Sequence, residues 1–294
     1  MPVRNRSPSR LRTLFDIPAN SGSLRLAFGV LRLITFTFFP WRSSSISAEN
    51  ASGLCAGESR LSAILSRLHS GDMKTSRLLL AASATAAFVS LLSRPPGAGE
   101  WPVLFKVLCI LMLAVVGFRV DRWLGGALTL SSLGDFFLGV QRLGKLDAES
   151  LFLLGLGSFL IAHLVYIAMF RKYRALVWWK PSPARVLGVV TILVAVAAML
   201  GILRQSLGSM LIPVVAYSLV LSGMGISAML ADLGTSLAGF GALLFIASDA
   251  MIAISKFRRP FSYSEQLIWI TYYSAQFFIL RGVERRHSRE QQTP

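Results

Sequence analysis

Four ionisable residues, Lys106, Asp135, His163 and Asp249, lie inside long apolar runs of this sequence. Two carboxylates in unlike surroundings are the equipment of general acid/base chemistry: one holds a proton to give, and the other is ionised to stabilise a cation or activate water. Which of Asp135 and Asp249 takes which part is open at this level. Lys106 can hold one carboxylate ionised or bind a phosphate, and His163 can shuttle a proton or anchor an anion. The same groups inside apolar helices also mark proton relays and ion pathways. The chain has no Gly-x-Ser-x-Gly elbow, no His-Glu-x-x-His and no phosphate-cradling Gly loop before a Lys. With one His in the apolar runs and no Cys cluster, no metal is expected, nor is a cofactor.

The elements that carry these residues are read from hydropathy. A helix needs about 20 apolar residues to cross a hydrocarbon core of about 30 Å. Eight runs qualify, at about 77–93, 101–118, 123–141, 150–170, 184–203, 208–230, 232–254 and 264–281. Each is closed by a charge, a Pro pair or a Gly/Ser cluster, and the short connections favour antiparallel neighbours. The expected fold is therefore all-α, an integral membrane bundle of eight transmembrane helices. Composition agrees: 54% of the 294 residues are hydrophobic and 15% charged, against about 25% charged in an ordinary soluble domain. That is far too apolar for disorder.

The formal net charge of +16 invites a nucleic-acid reading, but the basic residues lie in loops and tails and are weighted to one side. With the N-terminal side of the first span labelled A, thirteen Lys and Arg after residue 73 fall on side A and seven on side B. The positive-inside bias puts side A, with both ends of the bundle, in the cytoplasm. A multi-pass membrane protein, in contact with membrane lipids and not with nucleic acid, is the expected setting. Oligomeric state is not legible.

Depth and face group the polar residues. Asp135 lies in the last third of its run, Asp249 near the end of its own, and Lys106 in the first third of an oppositely directed one, so all three fall in the side-B half. Pro213 and Tyr217 begin a run at similar depth, while His163 and the segment Tyr272, Tyr273 and Gln276 lie deeper. Phe152, Gly155, Phe159, His163 and Tyr166 step by 3, 4, 4 and 3, which is one helical stripe. Ser132 shares the Asp135 face; Ser248 adjoins Asp249 without sharing its face closely. Lys106, Ser132, His163, Tyr166, Tyr217, Ser248, Tyr273 and Gln276 are the expected substrate-binding or supporting residues around a catalytic Asp135 and Asp249.

Residues 1–72 differ in kind, with nine Arg, no Lys and many Ser. They read as a basic leader, disordered or targeting, or as sequence upstream of a true start at Met73. Residues 73–283 form the expected eight-helix domain and 284–294 a polar tail. Cys55 and Cys109 are the only cysteines and suggest no disulfide framework.

Five segments in order carry a family resemblance: Ser132-Leu-Gly-Asp-Phe-Phe-Leu138, the Phe152 to Tyr166 stripe, Pro213-Val-Val-Ala-Tyr217, Gly241-Ala-Leu-Leu-Phe-Ile-Ala-Ser-Asp249 and Tyr272-Tyr-Ser-Ala-Gln276. From about residue 75 to 283 the chain resembles the YhhN family of membrane proteins, whose characterised members are lysoplasmalogenases. The resemblance implies an eight-helix multi-pass protein. It also implies hydrolysis of the vinyl ether bond of a lysophospholipid from the bilayer, giving a fatty aldehyde and glycerophosphocholine or glycerophosphoethanolamine. Beside this stand a small-solute or proton-coupled transporter using the same buried charges, and a non-catalytic lipid-binding protein.

Overall fold

The computed structural model of the chain describes residues 73–92, 101–141, 147–174 and 182–291, and within them every apolar run is a helix. The helices are α1 (Met73–Leu92), α2 (Trp101–Val120), α3 (Arg122–Gln141), α4 (Ala148–Lys172), α5 (Pro183–Leu203), α6 (Leu211–Leu230), α7 (Leu237–Phe257) and α8 (Ser264–Glu290), with a 3-10 turn at Gly208–Met210 leading into α6. The expectations for the leader before Met73 fall outside the described residues.

Local chemistry sets the ends. Asp147 caps α4, its carboxylate accepting from the Ser150 N–H at 2.9 Å, and Arg171 and Lys172 in the last turn complement the helix dipole. α5 starts with Pro183 in its first turn, where a missing N–H costs nothing. Asp121 alone separates α2 from α3, and its carboxylate accepts from the Trp123 N–H at 2.6 Å.

Three boundaries depart from the sequence reading. Gly234 takes a left-handed φ of 61°, and the Thr235 hydroxyl accepts from the Leu237 N–H at 3.3 Å, so α7 begins at Leu237 rather than near 232. The helix then runs on through Phe257, bringing Lys256 into its last turn. α8 likewise runs past 283 to Glu290, with Arg281–Glu284 and Arg286–Glu290 pairs along its final turns and Arg289 donating to the Gly234 carbonyl at 2.8 Å.

Among the described residues, seven helices are long and apolar enough to cross a bilayer. α8 is the one that falls short, because its last turns are charged and its middle carries Tyr272, Tyr273 and Gln276. Its polar face is covered by its neighbours: Tyr272 and Gln276 are buried, and α8 packs chiefly on α7 and also on α2 and α1. A Cβ on Gly241 of α7 would stand 2.8 Å from the Ala275 carbonyl of α8, so glycine is what lets these backbones approach.

The burial pattern is that of a membrane protein. Leu187, Leu193 and Val194 of α5, Ile212 and Leu219 of α6 and Leu78 of α1 are exposed, while Asp135, His163, Ser248 and Gln276 are buried. Apolar outside and polar inside suits a lipid solvent. At the α2–α3 turn, Lys172 and Tyr173 both donate to Asp121, at 3.3 and 3.2 Å, and Lys172 lies 5.1 Å from the centre of the Trp123 ring. Burial, and then the Asp121 carboxylate, push the Tyr173 phenol up to about 12.

Candidate active site

α2 and α3 bring the first pair of charges together. Lys106 Nζ lies 2.7 Å from Asp135 Oδ1, and the Tyr272 hydroxyl of α8 donates to Asp135 Oδ2 at 2.6 Å. The ammonium also stands 5.2 and 5.1 Å from the centres of the Trp269 and Tyr272 rings. The Trp269 indole N–H in turn donates to the Ala87 carbonyl of α1 at 3.0 Å. One turn before Asp135, the Ser132 hydroxyl donates to the Val107 carbonyl at 3.1 Å, docking α3 on α2. Asp135 is buried and fully partnered in kind: a cation on one oxygen, a phenol on the other.

Asp249 has different company. The Tyr217 hydroxyl of α6 donates to it, and no Lys or Arg ion pair to it is present among the described residues. It lines a narrow, partly open crevice between α3, α4, α5, α6 and α7, whose other walls include Phe152, Phe159, Leu221 and Phe257. The crevice is apolar except at Asp249, Tyr217 and Ser218, and the Ser218 hydroxyl is engaged by the Val214 carbonyl at 2.7 Å. Lys106 and Asp135 are close enough to act electrostatically on Asp249.

His163 sits behind Tyr217. Its ring meets Phe245 edge-to-face at 4.8 Å and Tyr217 at 5.5 Å. It is completely buried; the Phe159 backbone one turn back is its one hydrogen-bonding neighbour, and neither ring nitrogen forms a well-aligned bond. Phe159, Phe245 and Tyr272 pack mutually edge-to-face at 5.5 to 6.4 Å. These three rings join the Asp135 group to the His163–Tyr217–Asp249 group. A Cβ on Gly134 would stand 2.5 Å from the Phe159 ring, so the glycine beside Asp135 makes room for that partition.

The remaining expected residues take distinct places. The Tyr166 hydroxyl donates to Gln276 Oε1 at 2.6 Å, one helical turn from Tyr272. Tyr273 points instead to α1, its hydroxyl 2.9 Å from the Ser83 hydroxyl, which itself donates to the Cys109 carbonyl at 2.8 Å. The Ser248 hydroxyl donates to the Ile268 carbonyl at 3.2 Å and ties α7 to α8. Lys106, Asp135, His163, Tyr217 and Asp249 thus share one neighbourhood with Tyr166 and Gln276 at its edge, while Tyr273 and Ser248 make interhelical ties. Tyr272 and Trp269 contact the ion pair directly and were not among the expected site residues. The signal that could have found them is the Trp269, Tyr272, Gln276 stepping of 3 and 4, one face of α8. Among the described residues, no group of three or more His, Cys, Asp or Glu is placed to hold a metal ion.

Comparison with known proteins adds a family to this geometry. The YhhN family matches residues 69–283. The chain is 38% identical over 167 residues to a lysoplasmalogenase of Mycobacterium bovis, covering 56% of this chain and 61% of that one. It is 32% identical over 182 residues to lysoplasmalogenase TMEM86B of Homo sapiens, covering 59% and 72%, and 31% identical over 209 residues to that of Sus scrofa, covering 68% and 84%. The chain therefore spans about three fifths of the length of the mycobacterial relative. No solved structure matches. With nearly the whole described bundle inside the matched region, the chain belongs to the YhhN family.

Proposed function

We propose that this protein is a membrane hydrolase that cleaves the vinyl ether bond of a lysoplasmalogen, releasing a fatty aldehyde and glycerophosphocholine or glycerophosphoethanolamine. The observation that carries the reading is Asp249: a carboxyl with a phenol partner, facing an apolar crevice built for an aliphatic chain. Relatives named lysoplasmalogenase support the substrate class.

The two aspartates divide the work. A carboxylate without a cation partner is costly in apolar surroundings, so Asp249 carries the proton. It protonates the β-carbon of the vinyl ether, and the electron pair of the C=C bond forms the new C–H bond, leaving an oxocarbenium ion. Water adds to the carbon bearing oxygen, its proton returns to the Asp249 carboxylate, and the hemiacetal collapses to aldehyde and the glycerol hydroxyl. The same residue serves as acid and then base, as microscopic reversibility allows in glycoside hydrolysis. Asp135, held ionised by Lys106 and Tyr272, supplies a fixed negative charge toward the cation. His163, whose only hydrogen-bonding neighbour is the Phe159 backbone, keeps a ring nitrogen to orient the water. Tyr217 aims the Asp249 carboxyl, and Tyr166 with Gln276 fixes the Tyr272 face.

In this reading α8 crosses the bilayer as the eighth span, shielded by its neighbours, with both ends of the bundle in the cytoplasm and the protein in a bacterial inner membrane. The lipid enters from the bilayer. The test is aldehyde release by purified protein from alkenyl, alkyl and acyl lysophospholipids. Release from the alkenyl lipid alone, abolished in a folded Asp249→Asn variant, is the expected result. Near-normal turnover in Asp249→Asn overturns the mechanism, and solute flux in proteoliposomes without aldehyde favours a transporter.

A further inference from the structure

Lys256 was expected in a loop, but α7 extends through Phe257 and carries it on the helix. That places it seven residues after Asp249. Seven residues are about 10.5 Å of rise and return to within about 20° of the same face. Lys256 therefore stands above Asp249 on one stripe of α7, at the end of the helix where the membrane-spanning segment stops.

Its surroundings put it at the rim of the crevice. The ammonium lies 4.9 Å from the centre of the Phe152 ring, and Phe152 packs edge-to-face on Phe257 at 6.0 Å. Both rings line the crevice that Asp249 faces. The ammonium is exposed and makes no salt bridge to a carboxylate among the described residues. The nearby Arg258 is engaged elsewhere, donating to the Ile202 carbonyl of α5 at 3.0 Å. The crevice thus has one carboxyl inside and one cation, steadied on an aromatic face, at its mouth.

A lysoplasmalogen has the matching spacing. Whatever its headgroup, it carries a phosphate diester. Seven bonds separate that phosphorus from the β-carbon that must be protonated. Three backbone bonds span at most about 3.3–3.6 Å, so seven reach about 8 Å. Side chains lean toward the helix N-terminus, and the longer lysine leans further, which shortens the 10.5 Å step toward that length. We propose, resting on the hydrolase reading above, that Lys256 binds the headgroup phosphate. It holds the lysolipid with its phosphate at the interface beside the C-terminal end of α7 and its vinyl ether at Asp249. The lipid is then cleaved in the orientation it has in its own leaflet, and an alkenyl chain lacking phosphate is a poor substrate.

The test uses the whole protein in neutral detergent, with 1-alkenyl-glycerophosphocholine, 1-alkenyl-glycerophosphoethanolamine and phosphate-free 1-alkenylglycerol. The readout is the ratio of kcat/KM for each phospholipid over the glycerol. Lys256→Gln is expected to lower both ratios about tenfold, mainly through KM, as loss of a charged hydrogen bond does. Lys256→Arg is expected to restore most of the ratio, and Arg204→Gln, a cation outside the crevice, to keep it. A wild type that hydrolyses the lipids while Lys256→Gln keeps the ratio within twofold overturns the assignment alone. An equal fall in Arg204→Gln also overturns it, because surface potential would then suffice. A wild type that releases no aldehyde from any of the three overturns the hydrolase reading, and the assignment with it.

Discussion

Replacing Lys106 with methionine removes the cation from Asp135 while keeping an unbranched apolar side chain against Trp269 and Tyr272. The side chain of Asp135 is 0% exposed and that of Lys106 18%, so the carboxylate bears nearly all of the desolvation. Removing one partner of a buried ion pair costs about 3–5 kcal/mol. The partial exposure of Lys106 argues for the lower end, about 3 kcal/mol. Methionine sulfur on the two rings offsets part of the lost cation–ring attraction. For a bundle of this size that loss corresponds to a Tm lower by roughly 6–12 °C. The Lys106→Met/Asp135→Asn double variant removes both charges and leaves an amide oxygen to accept from Tyr272, so it should recover most of that fall. Asp135→Asn alone should cost less than Lys106→Met, because the stranded ammonium keeps two aromatic faces and an outlet to the surface.

Thermal unfolding in detergent, read beside aldehyde release, separates the structural part of this pair from the chemical one. The double variant should be stable and inactive, since the fixed negative charge is gone. A double variant no more stable than Lys106→Met refutes the ion-pair energetics. A stable double variant with full turnover refutes any need for an ionised Asp135.

Three further outcomes follow from the site. Tyr217→Phe deletes the hydroxyl that donates to Asp249 and should lower kcat about tenfold with a stability loss of about 1–2 kcal/mol, measured by single-turnover kinetics and unfolding. His163→Leu exchanges a buried ring with no well-aligned hydrogen bond for an aliphatic chain, so stability should change by no more than about 1 kcal/mol while turnover falls at least tenfold; an active variant removes His163 from the mechanism. Tyr173 stays protonated in the fold up to about 12, whereas an unfolded phenol ionises near 10. Its contribution is therefore complete below pH 10 and is lost as pH rises from 10 to 12; Tyr173→Phe should flatten that part of the stability profile.

The helices were legible because lipid as solvent demands long apolar runs, and that demand is written in composition and length. The shared depth of Lys106, Asp135 and Asp249 was legible for a related reason: rise per residue is fixed, and short loops alternate direction. Helix ends were less so. The start of α7 depends on Gly234 at positive φ and on the Thr235 cap, which no hydropathy window resolves, and the end moved with it. Partner choice was least legible. Tyr272 and Tyr273 are adjacent and of one type, yet the first meets Asp135 and the second Ser83. The 100° between them on α8 decides which faces the site, and that rotation is set by packing on α7, α2 and α1 rather than by anything local.

The same packing gives the two carboxylates unlike surroundings, as the proposed division of labour requires. An ionised carboxylate in a membrane needs a cation, and a proton donor must not have one in contact. Asp135 meets the first condition through α2, the helix that also carries Cys109 and packs on α3. Asp249 meets the second on α7, with only a phenol in contact. Phe159, Phe245 and Tyr272 form an edge-to-face cluster that links the two groups. In the proposed mechanism, a cation in contact with one carboxylate and only a phenol in contact with the other is what would let one site keep a fixed negative charge and a transferable proton together.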